Sequence, residues 1–456
     1  MAGSPYVQAI GPSYFLGDRK AAVQRAVNVY PKKLDGQNFM MASAPGEVQI
    51  ADLAAEGRGQ WVAAGRLFTV AGTGLYELVS GSYVLRGSLA TGSGPVGMDD
   101  NKTQLAIVDG DHLYIFDLGS NVLTEITVDG WRGSYNVVEI DGYFVFADPE
   151  TDQFYLSAID DGTALDALDF SSADSSPDDI VTIRASHRQL WLFGDLSTEI
   201  WINSGGADFP FVRYQSYTLD VGCVGRFAAI NAADTLFWIG QTHNGRGIVY
   251  MASGNQPQRV STTAVEEALR ASSDITQATM WSYQIEGHEF IGINAPGLET
   301  TWVFDASQQQ WSERGEWSAG WQRLRADFIT AYQGEHYAID SLGVVTRLDA
   351  DTNTLNGRVL RRERTWPHMV QPSLEPVSYF GVEISCKTGY GGLIALEVSN
   401  DGGNTFGPAL LRSLGVTGRW MERVRWNGLG TSFNRVFRLW QTDDAPFGLY
   451  SAAVNV

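Results

Sequence analysis

The middle of the chain repeats one pattern seven times: a short apolar strand, a turn built from Gly, Asp, Pro or Asn, then a second strand carrying an aromatic. In the first copy Leu67-Phe68-Thr69-Val70 turns through Gly72 and Gly74 into Leu75-Tyr76-Glu77-Leu78. Further copies pair 105–108 with 113–117, 143–146 with 154–156, 190–193 with 200–202, 236–239 with 248–251, 290–293 with 302–305, and 337–339 with 344–346. Copies start 38 to 54 residues apart, close to the roughly 40–50 residues of a propeller blade. Another apolar stretch usually precedes each hairpin, as at 137–140 and 180–183, and a more polar strand often follows, as at 122–126. Three to four strands per step make a small sheet. Alone, such a sheet buries neither face and exposes unpaired edges. Stacking the sheets around an axis covers the faces and leaves only short edges.

The expected fold is therefore all-β, with a β-propeller over 45–350. Seven blades are expected, six if one copy is recruited elsewhere, and a pair of β-sandwiches is the structural rival. The chain has 50 Gly and 12% aromatics in 456 residues, a composition suited to many short strands and tight turns rather than to helices. One helix interrupts the pattern: Thr263 and Glu266 have capping-box spacing ahead of a run ending at Arg270.

Past Asp351 the period changes. Arg361-Arg362-Glu363-Arg364 with Pro367, Pro372 and Pro376 reads as a linker over 351–376. Strands at 393–398, 421–426 and 436–440 alternate apolar and polar residues, the mark of sheets with one buried face. A separate β-sandwich-like domain is expected over 377–456, with segment 1–44 packing against it.

Charge divides the chain in the same way. Residues 1–40 hold five basic against two acidic groups, 355–456 hold eleven against eight, and 41–354 hold sixteen against forty-two, a net of −26 within a total of −20. A phosphate-clamping protein needs the opposite sign. The N-terminus has no basic region preceding an apolar core, so no secretory signal is expected. No apolar run reaches the roughly 18 residues of a membrane helix. Cys223 and Cys386 lie far apart without ligand spacing and read as two free buried thiols.

The most specific local motif is Ser399-Asn400-Asp401-Gly402-Gly403-Asn404-Thr405-Phe406. It resembles the Asp-box of sialidases, a hairpin-turn device in which Ser399, Asp401, Gly403, Thr405 and Phe406 hold a turn to a sheet. A glycosidase would need arginines, a tyrosine and a carboxylate converging on one axis. Arg66, Arg184, Arg226 and Arg246 occur in the repeats, but no spacing unites them. The acidic stretch holding Asp160, Asp161, Asp166, Asp169, Asp174, Asp178 and Asp179 reads as a solvated loop, since the EF-hand order is missing. Phosphate-loop, nucleophile-elbow and HExxH patterns are absent from the sequence, so no catalytic residue, cofactor or metal is expected. Arg412, Arg419, Arg423, Arg425, Arg435 and Arg438 alternate with Trp420, Trp426, Phe437 and Trp440 and form a candidate partner interface.

Three stretches carry a wider resemblance: Ala26-Val27-Asn28-Val29-Tyr30-Pro31 followed by Ala44-Pro45-Gly46, the helix region 259–270, and 398–406 with the closing strands. Their order resembles that of the packaged-DNA stabilisation proteins, or tail hubs, of short-tailed bacteriophages. That resemblance implies a virion protein assembled in the host cytoplasm. It implies a homo-hexameric ring below the portal and adaptor, retention of packaged DNA, a share in the ejection channel, and contacts with tailspikes, fibres or a needle, without membrane insertion. A glycan- or surface-binding propeller and a sialidase-like glycosidase are the alternatives.

Overall fold

The computed structural model describes residues 8–456 except 35, 37, 207 and 371–373, with the side chains of 215–217 also excepted. Each of the seven repeated hairpins supplies the second and third strands of one antiparallel sheet. The first sheet runs Gly57–Ala63, Arg66–Ala71, Gly74–Val79 and Ser82–Ser88. The innermost strands touch in sequence around a ring, and the innermost strand of the seventh sheet, Ala326–Tyr332, returns to meet that of the first.

The strands read as continuous apolar runs because each serves two cores. In the second sheet Leu105 and Ile107 point towards Phe68 and Val70 of the first. The alternate residues Ala106 and Val108 point towards Phe144 and Phe146 of the third. Strand periodicity of two thus sends neighbouring residues into different interfaces. Each fully buried side chain of this kind contributes about 1.5–3 kcal/mol.

The ring is closed by hydrogen bonds. The outer strand of the seventh sheet is Gly46–Asp52, which precedes the first sheet in sequence and pairs with Val344–Asp349. At this seam Gly343 has φ +82°, and a Cβ there would overlap the Ala55 carbonyl, so only glycine fits without strain.

The C-terminal sandwich does not stand apart. The outer strand of the sixth sheet, Gln310–Trp317, meets Val23–Val27, and the same sheet continues through Arg362–Thr365, Asn434–Gln441 and Leu393–Ser399 to Leu410–Ser413. The facing sheet is ordered Val29–Lys33, Phe39–Ser43, Gly448–Asn455, Gly381–Cys386, Val424–Asn427. Trp366, Trp426, Phe437 and Leu396 fill the space between. The N-terminal strands are thus hydrogen-bonded members of both sandwich sheets.

Four local expectations are corrected. The stretch read as a linker contains a strand, Arg362–Thr365, whose residues are all buried. The acidic stretch read as a loop is largely the outer strand of the third sheet, Asp161–Ser172, interrupted by bulges. The helix spans Thr263–Arg270 with Thr262 as its N-cap and no side-chain cap bond, so the capping box does not form. Glu266 instead accepts the Ser261 hydroxyl at 2.7 Å and pairs with Arg259 at 2.6 Å. Of the two free cysteines, Cys223 is buried but Cys386 is only partly so.

Candidate interaction sites

The propeller and sandwich meet through a buried polar joint. Asn28 sits at φ 56°, a conformation asparagine tolerates better than most residues. Its amide nitrogen donates to the carbonyls of Gly315 and Arg361, each at 2.8 Å, and its amide oxygen accepts the Gly315 N–H at 3.1 Å. Beside it, Glu313 accepts the Arg25 guanidinium at 2.5 and 3.2 Å, the Ser13 hydroxyl at 2.9 Å and the Thr300 hydroxyl at 2.6 Å. Glu313 and Glu299 hold Arg25 more firmly protonated than usual, overcoming the opposing effect of burial.

The charged run 361–364 serves the same joint. Arg361 pairs with Glu363 at 2.7 Å and lies over the rings of Trp317 at 4.0 Å and Trp440 at 4.4 Å. Arg364 donates to the carbonyls of Ala9, Pro12 and Arg25. Burial pushes its pKa down to about 9. No spacing signal marks these contacts, because a charged run in sequence does not reveal whether carbonyls and carboxylates will surround it.

The six candidate interface arginines separate. Arg435 is fully buried, donates to the Leu429 carbonyl at 2.7 Å and lies 4.5 Å from the Tyr379 ring centre. Arg438 binds Glu397 and stacks on Phe406 at 3.8 Å. Both belong to the sandwich's own structure. Arg425 is half-buried, and its backbone carbonyl accepts Arg412 Nε at 2.8 Å. Arg412, Arg419 and Arg423 remain exposed, the last two beside Glu422 and Glu383. Arg419 adjoins an exposed tip where Trp420 meets Tyr390 edge-on at 5.1 Å.

In the Asp-box-like turn, the Ser399 hydroxyl accepts the Gly403 N–H at 2.8 Å and donates to Asp401 at 2.7 Å. Asp401 accepts the Thr405 N–H at 2.9 Å and its hydroxyl at 2.6 Å. These bonds, the Thr405 hydroxyl first, lower the Asp401 pKa to about 2. Gly402 and Gly403 have φ +73° and +88°.

The propeller axis encloses a cavity of about 670 Å³, lined in part by Trp61, Met98, Asp99, Arg184, Phe227 and Phe328. Asp99 accepts the Glu139 N–H of the neighbouring sheet at 2.7 Å and the Asp100 N–H at 2.8 Å. Burial nevertheless pushes its pKa up to about 7. The repeat arginines do not gather here. Arg184 lines the cavity and donates to the Ala229 and Ile183 carbonyls. Arg66 is held by Glu77, and Arg226 stacks on Tyr135 at 3.3 Å. Among the described residues no group of three His, Cys, Asp or Glu is placed to hold a metal ion, and no helix is long and apolar enough to cross a membrane.

Fold and joint together define a β-propeller fused to a β-sandwich through shared strands. Residues 23–353 match the family model described as bacteriophage P22 Gp10, beta-propeller, and residues 363–456 match the model described as bacteriophage P22 Gp10, beta-sandwich. The chain belongs to this family of structural phage proteins, whose role is in the virion tail and in stabilising packaged DNA. No curated protein sequence matches it. Similar solved structures include the computationally designed Ika8 protein, with 12% identity over 72% of this chain and 96% of that one, TM-score 0.41. BamB from Moraxella catarrhalis has 11% identity over 68% and 99%, TM-score 0.40. The Cps50 (Swd1) β-propeller domain of Myceliophteria thermophila has 10% identity over 66% and 99%, TM-score 0.44.

Proposed function

We propose that the chain is a non-catalytic hub of a short phage tail, forming a homo-hexameric ring below the portal and adaptor that retains packaged DNA and contributes to the ejection channel. The observation that carries this reading is the match of both domains, in order, across nearly the whole chain to one phage structural family. The buried joint supports it, because a propeller and sandwich sharing a sheet move as one block and can bear load. The net −26 of residues 41–354 suits a wall along which DNA slides without being held.

The conduit lies between copies and not along the propeller axis. A duplex whose major groove alone is about 12 Å wide does not pass through an axial cavity of about 670 Å³. Tailspikes, fibres or a needle attach to the ring, and assembly takes place in the host cytoplasm. The test is to assemble phage particles with and without this chain and measure nuclease-sensitive DNA. Leakage from particles lacking the chain, reversed by adding the purified protein, is the expected result. Equal DNA retention in both preparations would refute the role.

A further inference from the structure

We propose that copies of this chain associate head to tail, the tip of one sandwich docking on the outer strand of the third propeller sheet of the next copy. The proposal rests on the ring reading above and names the two surfaces that build it.

The first surface is the sandwich tip. Loops 387–392 and 414–421 are joined by hydrogen bonds from Gly389 N–H to the Leu414 carbonyl and from Gly418 N–H to the Gly389 carbonyl. This fixed platform holds Met421 at 92% exposure, Val416 at 72% and Trp420 at 59%. Segments 381–393 and 410–427 contain Lys387, Arg412, Arg419, Arg423 and Arg425 against Glu383 and Glu422, a net of +3. Contiguous exposed apolar groups rimmed by charge are the signature of a contact surface, and Trp, Met and Arg are the residue types such surfaces favour.

The second surface has the opposite sign. Segment 159–179 carries seven aspartates and no lysine or arginine, and Arg213 takes up only Asp174 among them. Its outer strand Asp161–Ser172 is a sheet edge on which Leu168 is 81% exposed. Ile159 and Phe170 are also exposed on this segment, the latter ring covered on one side by Arg132 at 4.4 Å. An edge strand carrying large apolar side chains is a surface that proteins ordinarily cover.

Topology places the two surfaces on opposite sides of the propeller ring. The sandwich continues from the outer strand of the sixth sheet, and Leu410–Ser413 is the last strand of that path. Around the ring of inner strands, the second and third sheets lie three steps from the sixth, the greatest separation available. Complementary patches on opposite sides cannot meet within one copy. They meet between copies, and a heterologous contact of this kind repeats until a ring closes.

Full-length protein carrying Arg412→Glu, Arg419→Glu and Arg423→Glu tests the first surface, and Asp160→Lys, Asp166→Lys and Asp169→Lys the second. Sedimentation velocity should show wild-type assemblies, at least a tenfold loss of association in either variant alone, and recovery when the two variants are mixed, because each then offers the other a complementary face. Should a triple variant fail to fold by circular dichroism, the pair Leu168→Cys and Met421→Cys in one chain replaces it. Mild oxidation should then give a ladder of disulfide-linked multimers, absent from wild type. Wild-type protein that stays monomeric, assembly indifferent to both charge reversals, or crosslinking confined to monomers would each overturn the proposal. A monomeric wild type would also remove the ring from the hub reading, whereas the DNA-retention role is decided separately, by nuclease sensitivity in particles.

Discussion

Replacing Glu313 with alanine removes the acceptor around which the joint between propeller and sandwich is built. Its carboxylate receives four hydrogen bonds, two from Arg25 and one each from Ser13 and Thr300. Glu313 is 1% exposed and Arg25 7%. In the variant the ion-pair partner left to Arg25 among the described residues is Glu299, at 3.3 Å and half in solvent. Stranding one member of a buried ion pair costs about 3–5 kcal/mol, whereas an exposed pair contributes only about 0–1 kcal/mol. For 456 residues, an unfolding entropy of about 2.1 cal/mol/K per residue gives ~1 kcal/mol/K, so Tm should fall by about 3–5 °C if the chain unfolds as one unit. Calorimetry measures the shift. Hydrogen exchange should show added exposure concentrated in Val23–Val27 and Gln310–Trp317. The double variant Arg25→Met with Glu313→Leu should recover most of the loss, since an apolar pair of similar volume leaves no buried charge. A single variant costing less than about 1 kcal/mol, or a double variant no better than the single, would refute the claim that this ion pair organises the joint.

Asn28→Ala leaves the Gly315 and Arg361 carbonyls without their amide donor and puts a Cβ residue without a helpful side chain at positive φ. It should cost about 2–4 kcal/mol by thermal unfolding, while Asn28→Gly, which relieves the strain but still loses the bonds, should cost less. Gly343→Ala should lower stability by at least about 1–2 kcal/mol, with hydrogen exchange rising first in Gly46–Asp52, the strand that closes the ring. Asp99→Asn should alter the pH dependence of stability. The native carboxyl titrates near 7 and the unfolded one near about 4, so the folded chain holds the extra proton between these values. Wild-type stability from this group therefore falls as pH rises from about 4 to 7. The asparagine variant should lack that fall in denaturant titrations across the window.

How much of the molecule is visible in one dimension follows from which interactions are local. The hairpins are local: Leu105 to Val108 and their partners Leu113 to Phe116 lie within one turn of each other, and their unbroken apolar character already announces that both faces are covered. The Asp-box-like turn is also local, because all its hydrogen bonds join residues within a span of seven. The capping box shows the limit of such reasoning, for a shift of one residue in the helix start moved Glu266 from a cap to the Ser261 hydroxyl.

Sequence alone determined the repeated hairpins, the change of period after Asp351 and the acidic middle between basic ends, because alternation, turn chemistry and charge are properties of neighbouring residues. Tertiary structure decided which charges are surface and which are framework. Arg361 to Arg364 look like a solvated tether, yet become buried when two indoles and a set of backbone carbonyls, among them that of Ala9, 355 residues from Arg364, close around them. It also separated Arg435 and Arg438, spent inside the sandwich, from the exposed Arg412, Arg419 and Arg423. Whether a guanidinium meets water or a carbonyl depends on what the rest of the chain brings beside it, and that is settled only when the sheets have assembled.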